Sequence, residues 1–493
     1  MAWQDFGRAR RTALTAAVRT GNSELVAVLI ERARVDSEIA TSLERDESSW
    51  NVTAEYVVDG DVYTEDEAAQ SRSDFQPIVP ALVFRSMEVS LNATTVRRPG
   101  SDDSGHTPTA PRAEPEHPST LVVKDLRSQL RRSGIDVWLG LHLEGKTIYW
   151  AMLTASEAAS GTLLVGAATE IGSALAEFDD HVRLRKMDLL GIAGSPDELA
   201  LTEPLAALVP QQVRAVLADR TSSADVKRLA LAFSPELSVV PWPILPVGGP
   251  DQRLVELCCL RVWCSQGVEG KRTSPPEPLG PLPISVCCDD PTGTLRPGRL
   301  FAAASAHFVL GSADTGRVEL ASRDNVARAL SWTRHNLPQS LAFFRSHSDQ
   351  GYDAAHSTLR LAGEDEIVAG ELHGRYGTGE PFVPMPTRVV LSSCSSSSMS
   401  GHGGASIGLA AGCIAAGASG VVATGIDVAD VPFTLDLDNQ LISYLRHGAE
   451  HDRQLRELHI RLLHEWRTGG RTRRWPDEIT ESHPLVWSYY WAF

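Results

Sequence analysis

Apolar residues recur at helical spacing near the start of the chain. The segment RRTALTAAVRTGNSELVAVLIERARVD, residues 10–36, places them three or four positions apart, and TGNS interrupts the pattern with a turn. Ser23 precedes Glu24 and suits the cap of a second helix. The pattern predicts a helix pair of the ankyrin type. An ankyrin array is not expected, because no second copy follows and one pair cannot bury its own apolar face.

Short alternating runs follow the predicted helix pair. WNVTAEYVVDGDVYT at residues 50–64 contains an Asp-Gly turn signal, and PIVPALVFRSMEVSL occupies residues 77–91. Alternation of this kind is typical of strands. We therefore expect a small N-terminal α/β or α+β module at residues 1–96. Residues 97–120 are rich in Pro, Ser and charge, which predicts a flexible linker.

Strands and helices alternate along the remaining chain. The run IDVWLGLHLEGKTIYWAML predicts a hairpin that turns at Glu144 and Gly145. Further strands are predicted at KRLALAF, ISVCCDD, SLAFFRSH, TRVVLSSC and SGVVATGIDVAD, and helices at PGRLFAAASAHFVL, NVARALSWTRHNL and GGASIGLAAGCIAAG. Short apolar runs without strict alternation are typical of parallel strands that are covered on both faces. The sequence thus predicts an α/β fold, with a mostly parallel sheet flanked by helices.

Composition and charge narrow the classes of partner. The chain carries 46 Lys plus Arg against 62 Asp plus Glu, and its net charge of −16 argues against nucleic acid as a principal partner. No apolar run reaches the roughly 18 residues of a membrane span, so we expect a cytoplasmic protein without a membrane partner. The seven cysteines form no CxxC pair and have no histidine at zinc-finger spacing. Neither a disulfide framework nor a metal site is indicated, and no cofactor is expected.

Two predicted strands end in reactive side chains, SLAFFRSH at His347 and TRVVLSSC at Cys394. In an open parallel sheet, catalytic groups collect beyond the carboxyl ends of the strands. A histidine beside a cysteine there can assist loss of the thiol proton, and the thiolate can attack a carbonyl carbon. Small residues after Cys394 leave backbone N–H groups available for an oxyanion. His402, in SGHGG, is a rival base, although a Gly-flanked loop holds geometry poorly.

Several segments in order resemble the CHAT domain, a bacterial caspase-like peptidase domain related to separase. They are SLAFFRSHSDQGYDAAHSTLRLAG, RVVLSSCSSSSMSGHGGASIGLAAGCIAAGASGVVATGIDVAD and the ending HPLVWSYYWAF. The resemblance covers residues 122–493. It implies an inactive caspase-like half at residues 121–275, followed by a catalytic half at residues 276–493.

The resemblance also implies roles for individual residues. His347 is the base-side catalytic residue, Cys394 is the nucleophile, and the backbone N–H groups of Ser348 and Cys394 form the oxyanion hole. This chain departs from the family pattern in two places. Family members usually follow the histidine with Gly, whereas Ser348 stands here, and residues 395–398 are serines where acidic or polar residues are usual. The serines predict a less charged and more mobile substrate loop.

Asp427 and Asp430 match aspartates that, in similar proteins, line the pocket for the residue before the scissile bond. A carboxylate at the base of that pocket favours Arg or Lys, and it can bind Arg through two hydrogen bonds. The Trp that the family carries in this segment is absent, and Gly425 and Ile426 stand around its place. In the alternative interpretation, the two aspartates belong to a surface turn or cap a helix.

The sequence therefore predicts a cysteine endopeptidase that cuts protein or peptide substrates after Arg or Lys. The resemblance implies a role in bacterial stress, cell death or antiphage defence, and the N-terminal module suggests control by an activating partner. The alternative hypothesis is a catalytically inactive scaffold that binds proteins through the same fold. Cysteines that follow strands are more often buried core residues than nucleophiles, and this simpler interpretation applies to Cys413.

Overall fold

The computed structural model describes most of the chain. The described residues are 2–33, 56–58, 61–63, 118–165, 169–184, 198–219, 226–249, 251–264, 281–288, 306–311, 319–349, 356–373, 381–397, 408–428, 432–447, 450–468 and 484–493. The chain forms two compact units, residues 1–41 with 118–493, and residues 42–117. In the second unit, strands β1 (Tyr56–Val58) and β2 (Asp61–Tyr63) pair antiparallel on either side of the Asp-Gly signal.

A five-stranded sheet, called the smaller sheet below, occupies the first part of the large unit. Its strands are β3 (Val137–Glu144), β4 (Thr147–Leu153), β5 (Ala158–Leu164), β6 (Lys227–Phe233) and β7 (Cys258–Val262), in the spatial order β5-β4-β3-β6-β7. Strands β3 and β4 form the predicted hairpin, with Glu144 opposite Thr147, so the expected turn is confirmed. Strand β3 runs parallel to β6, and β6 runs parallel to β7.

A seven-stranded sheet, called the larger sheet, lies in the second part of the same unit. The remaining strands are β8 (Ile284–Cys288), β9 (Ala306–Gly311), β10 (Glu319–Leu320), β11 (Leu341–Arg345), β12 (Ser348–Asp349), β13 (Thr358–Arg360), β14 (Glu366–Val368), β15 (Arg388–Leu391), β16 (Gly420–Thr424) and β17 (Tyr490–Ala492). The larger sheet has the order β10-β9-β8-β11-β15-β16-β17, and only the β16–β17 pair is antiparallel. Strands β12 to β14 form a separate antiparallel sheet.

Helices flank both sheets. They are α1 (Ala2–Arg19), α2 (residues 23–33), α3 (Pro118–Arg132), α4 (Glu170–Leu184), α5 (Glu198–Thr202), α6 (Gln211–Ala218), α7 (Leu254–Leu257), α8 (Arg323–Asn336), α9 (Ala369–His373), α10 (Leu409–Ala415), α11 (Pro432–Arg446), α12 (His451–Thr468) and α13 (Pro484–Trp487). Local sequence explains individual ends: the Ser322 hydroxyl caps α8 by accepting from the Asn325 N–H at 3.4 Å. The predicted α/β fold, with mostly parallel sheets flanked by helices, is confirmed.

Alternation along the strands of the smaller sheet sends side chains to two different cores. On β3, Leu139 and Leu141 face a core shared with the larger sheet, whereas Trp138 faces the opposite side. The core on that opposite side consists of Leu14, Ala17, Val26, Ala27, Ile30, Leu126, Leu130, Ile135, Trp138, Tyr149, Ala151, Leu153, Ala230, Ala232 and Trp263. On the shared side, β17 at the edge of the larger sheet contacts β7 at the edge of the smaller sheet.

The N-terminal helix pair buries its apolar face on the smaller sheet. Leu14 and Ile30 are fully buried there. The smaller sheet thus covers the apolar face that a neighbouring repeat would cover in an ankyrin array. Polar contacts hold the same surface at its margin: Arg10 forms a 2.9 Å ion pair with Glu144, and Thr15 shares a 2.8 Å hydrogen bond with Tyr149. Residues 1–41 therefore belong to the compact unit that carries both sheets.

Two local predictions differ from the structure. Residues 306–311, predicted as the end of a helix, form strand β9, because they pair parallel with β8 and complete the larger sheet. Helix α3 begins at Pro118, inside the predicted linker. The rest of that linker and the run at residues 77–91 lie outside the described residues. The domain boundaries at residues 96, 120 and 275 stay predictions.

Candidate active site

His347 and Cys394 follow two neighbouring parallel strands of the larger sheet. Strand β11 pairs with β15, and Phe344 lies opposite Leu391 at the last registered position. The Ser392 N–H donates to the Phe344 carbonyl at 2.8 Å, which continues the ladder past the end of β15. His347 lies three residues after Phe344, and Cys394 lies three residues after Leu391. The two sequence-predicted residues thus leave the same edge of the sheet at the same level.

Exposure separates these two side chains from the strands that precede them. Every residue of β11 and β15 is buried, whereas His347 and Cys394 are both half-buried and reachable from solvent. The Cys394 Sγ lies 3.9 Å from the Val428 carbonyl oxygen, in the turn that follows β16. A buried strand therefore fixes the backbone before His347 and before Cys394, and a solvent-accessible side chain follows each strand.

Ser348 connects the segment that follows β11 to the segment that follows β15. Its hydroxyl donates to the Cys394 carbonyl. The Arg360 N–H donates to the His347 carbonyl at 2.9 Å, so Ser348 and Leu359 form a non-hydrogen-bonded pair of the β12–β13 ladder. The Ser348 N–H consequently faces away from β13. The serine that replaces the family's glycine bridges the two strand ends through its side chain.

Ser395, directly after Cys394, adopts a left-handed backbone with φ of 50°. Among the described residues it is the one residue other than glycine with positive φ, a conformation that costs about 1–2 kcal/mol. Its N–H donates to the Ile426 carbonyl at 2.9 Å, and its hydroxyl donates to the Asp427 carboxylate at 2.8 Å. The structure therefore places Asp427, a predicted pocket residue, in contact with the residue that follows Cys394. Asp430 and the rival base His402 lie outside the described residues.

The next serines are held against β16. The Ser397 N–H and hydroxyl both donate to the Thr424 carbonyl, at 2.9 and 2.8 Å. The Ser396 hydroxyl accepts from the Thr424 N–H at 3.0 Å and donates to the Leu391 carbonyl at 2.9 Å. The hydroxyls of Ser396 and Ser397 thus bind neighbouring backbone, and that of Ser395 binds the Asp427 carboxylate. The greater mobility expected of this tract stays a prediction.

A side chain at position 425 has no room, because a Cβ there would lie 2.5 Å from the Trp491 indole. The indole N–H of Trp491 donates to the Ser488 carbonyl at 3.0 Å, which fixes the ring. The space beside Gly425 is thus occupied by an aromatic residue of the C-terminal strand. The sequence indicates that the family's Trp is missing here, but it could not indicate which side chain lies in that place.

A buried polar cluster beneath the two strand ends was missed by sequence reasoning. Arg345, on β11, pairs with Asp438 of α11, and the Ser392 hydroxyl donates to the same carboxylate at 2.6 Å. The Ser392 hydroxyl also lies 3.1 Å from the Tyr490 hydroxyl. Burial raises the pKa of Tyr490, the Ser392 hydrogen bond and the Arg345 charge lower it, and nearby Cys394 raises it. An arginine inside the apolar run LAFFRSH was the available signal.

The other six cysteines differ from Cys394 in environment. All six are buried, and none of the seven cysteines forms a disulfide. Burial raises the pKa of Cys259 to about 11 and that of Cys413 to about 12, so these thiols stay protonated at neutral pH. In the part of the chain that the structure describes, no group of three His, Cys, Asp or Glu could hold a metal ion. Within the same residues, none of the helices is both long and apolar enough for a bilayer.

Comparison with known proteins gives a family match and distant structural likenesses. The family model of the CHAT domain matches residues 199–493. No curated protein sequence matches the chain. Two crystal structures of the separase–securin complex from Saccharomyces cerevisiae, at 2.6 and 3.0 Å resolution, are similar with a TM-score of 0.42 and 11% identity. The matches cover 76% of this chain and 31% of those chains, so the chain spans about a third of their length.

Proposed function

The chain belongs to the CHAT domain family, and on this premise we propose that it is a cysteine endopeptidase with His347 and Cys394 as its catalytic dyad. The observation that carries the proposal is the parallel register of β11 and β15, which brings the two strand ends level. The half-buried exposure of both side chains supports it further. A nucleophile and a base on adjacent rigid strand ends suit acyl transfer.

The proposed reaction proceeds through a thioester. His347 takes the proton of the Cys394 thiol, and the thiolate sulfur attacks the carbonyl carbon of the scissile peptide bond. The carbon–nitrogen bond then breaks as His347 returns the proton to the leaving amine. Water gives a proton to His347 and attacks the thioester, so the new carboxylic acid leaves and the thiol is restored.

The backbone N–H groups of Ser348 and Cys394 are the proposed oxyanion hole. The Ser348 N–H faces away from the β12–β13 ladder, on the side from which the Ser348 hydroxyl reaches the Cys394 carbonyl. Donors aimed at the developing charge typically contribute about 3–4 kcal/mol to the transition state. Because a backbone donor needs no particular side chain, serine at position 348 is compatible with this role.

Asp427 and Asp430 are the proposed selectors of a basic residue before the scissile bond. Asp427 supports this role because it hydrogen-bonds to Ser395, the immediate neighbour of the nucleophile. One hydroxyl uses one acceptor site of the carboxylate, which has about four such sites, so an arginine of the substrate can still bind it.

Regulation and location complete the proposal. Residues 42–117 form the second compact unit, and we assign to this unit the binding of an activating protein partner. Replacement of that unit by a Gly/Ser linker should abolish activation by the partner. Peptide cleavage by the shortened chain can still be measured. The free thiols suit a reducing compartment, the cytoplasm. A role in bacterial stress, cell death or antiphage defence is proposed on the family resemblance alone.

The main experiment compares wild type, Cys394→Ala and Cys413→Ala on a peptide pool that varies Arg, Lys, Leu and Asp before the cleaved bond. We expect wild type and Cys413→Ala to cleave equally and Cys394→Ala to be inactive. Cys413 is the matched control because the same substitution is made at a buried cysteine in the same half. Cleavage by Cys394→Ala at the wild-type rate would contradict the proposal.

The pocket has its own experiment. Asp427→Asn and Asp430→Asn keep the side-chain shape and remove the charge, so each is expected to reduce the preference for Arg over Leu by about 10- to 100-fold if it binds the guanidinium. Cleavage of the Leu peptides serves as the internal control. An unchanged preference in both variants would show that specificity lies elsewhere.

The second candidate function is an inactive protein-binding scaffold. It is favoured by the Ser348 hydroxyl, which binds the Cys394 carbonyl and so places a side chain beside the nucleophile. A peptidyl probe with an electrophilic ketone and Arg at its end distinguishes the two. Labelling of wild type that requires both Cys394 and His347 supports the enzyme, and equal labelling of His347→Gln supports the scaffold.

A further inference from the structure

One buried carboxylate binds both strands that end at the proposed dyad. Asp438, which is fully buried on α11, accepts from the Arg345 guanidinium through one oxygen and from the Ser392 hydroxyl at 2.6 Å through the other. Arg345 stands two residues before His347, and Ser392 stands two residues before Cys394. The same carboxylate therefore connects the histidine strand and the cysteine strand.

The hydrogen bonds beyond this carboxylate have a fixed direction. Ser392 has a single hydroxyl proton, and the ionised carboxylate can only accept, so that proton goes to Asp438. The contact of 3.1 Å between the Ser392 and Tyr490 hydroxyls must then be donated by Tyr490. Arg345, Ser392, Asp438 and Tyr490, called the Asp438 cluster below, thus link β11, β15, α11 and β17.

Stability alone does not explain why the cluster is there. Desolvation of a buried ion pair offsets much of its attraction, and apolar residues of similar volume often stabilise a core equally well. What the pair adds is geometry, because its charge-assisted bonds are short and directional. A shift of β11 relative to β15 by a fraction of a residue would break one of the two bonds to Asp438.

We propose that the Asp438 cluster is a positioning device that sets the spacing of His347 and Cys394. The proposal rests on the proposed function, since it assumes that the two side chains act together. The cluster does not touch a substrate. It acts through the register of the two strands, and a correct register lets His347 lower the pH at which Cys394 becomes a thiolate.

Alkylation of Cys394 by iodoacetamide, followed by mass spectrometry over a range of pH, tests the positioning without any substrate. The rate follows the thiolate fraction. We expect His347→Gln to move the half-maximal pH upward. Ser392→Ala and Asp438→Asn should move it in the same direction and slow the reaction at pH 7 by about tenfold, which corresponds to one pKa unit. Ser392→Thr keeps the hydroxyl and should retain the wild-type profile.

A matched control is a second fully buried ion pair among the described residues, Arg253 with Glu198 at 2.6 Å, in the first half of the large unit. Glu198→Gln breaks a pair of the same kind and should lower the melting temperature without changing the alkylation profile. If Glu198→Gln slows alkylation as much as Asp438→Asn, the cluster has only a structural role. A wild-type profile for Ser392→Ala also overturns the proposal.

The double variant Ser392→Ala with His347→Gln separates this inference from the proposed function. If the cluster acts through His347, Ser392→Ala slows alkylation in the wild-type background and adds nothing when His347 is already replaced. Additive effects would contradict the positioning role. A normal alkylation result together with absent peptide cleavage would contradict the endopeptidase and leave the positioning intact. If Asp438→Asn fails to fold, the alkylation profiles of Ser392→Ala and Ser392→Thr still test the positioning role.

Discussion

Each sheet contains a pair of neighbouring parallel strands, β3 with β6 and β11 with β15. The residues that follow these strands differ between the two sheets. In the smaller sheet, parallel strands β3 and β6 stay in register to Leu141 and Phe233, as β11 and β15 do in the larger sheet. After β6, the Ser234 N–H donates to the Leu141 carbonyl, and its hydroxyl accepts from the Leu143 N–H, both at 3.0 Å. The chain then enters buried turns, where Trp242 stacks on Phe233 with centroids 5.5 Å apart.

The difference teaches that the residues after a pair of parallel strands decide whether the strand ends are covered or stay accessible to solvent. In the smaller sheet, prolines and a tryptophan close the carboxyl end of β6, and Pro235, Leu237 and Trp242 are buried there. In the larger sheet, His347 and Cys394 stand half-buried at the corresponding ends. The inactivity of the first half stays a prediction.

Thiol reactivity provides the largest expected difference between the two sheets. Cys394 is half-buried, whereas Cys258 and Cys259 on β7 are buried, and burial raises the pKa of both. Because a buried thiol reacts only after the structure opens, we expect Cys394 to be alkylated at least about 10⁴-fold faster. Peptide mass spectrometry of the native protein measures both rates. Comparable rates in the two sheets would remove the distinction.

Removal of a contact beneath the smaller sheet should affect stability and leave the site intact. Leu14→Ala creates a cavity in the core between the helix pair and this sheet, so the free energy of unfolding should fall by about 2–5 kcal/mol. Chemical denaturation measures the loss, and alkylation of Cys394 in native buffer should stay unchanged. Leu164→Ala, at an exposed position of β5, is the matched control and should change stability by less than about 0.5 kcal/mol.

Acid should test whether the two sheets unfold together. Burial lowers the pKa of His459, on α12, from 6.5 to about 3. The unfolded chain therefore binds one more proton than the folded chain between these values, and stability falls as the pH falls from 6.5 towards 3. We expect a loss on the order of 3 kcal/mol between pH 7 and pH 4, which His459→Gln removes.

Hydrogen exchange at pH 4 locates that loss. Helix α12 contacts β7 of the smaller sheet and β16 and β17 of the larger sheet. If both sheets share one core, peptides from both should lose protection to the same extent. Loss confined to one sheet would show that the two halves are independent.

The smallest expected effect concerns the backbone of Ser395, directly after Cys394. Ser395→Gly and Ser395→Ala both remove the hydrogen bond to Asp427, but only glycine tolerates φ of 50° without strain. Ser395→Gly should therefore be more stable than Ser395→Ala by about 1 kcal/mol. Thermal denaturation of the pair measures this difference. Equal stability would show that the left-handed turn is absent in solution.

Local patterns allowed much of the fold to be predicted, including the β3–β4 hairpin and strands β6, β8, β11, β15 and β16. Each of these is a short apolar run bounded by turn residues, so neighbouring residues contain the necessary information. Strand β9 was missed because alanines before it favour a helix, and only pairing with β8 decides the outcome.

The sequence by itself determined the α/β class, the family resemblance and the two reactive residues at strand ends, because periodicity and residue type are local properties. The tertiary structure decided that β11 and β15 are neighbours in a register that brings His347 level with Cys394. It also decided that Asp438, 93 residues from Arg345 along the chain, lies beneath both strands. Contacts between distant residues depend on how the layers pack, and no local pattern encodes that packing.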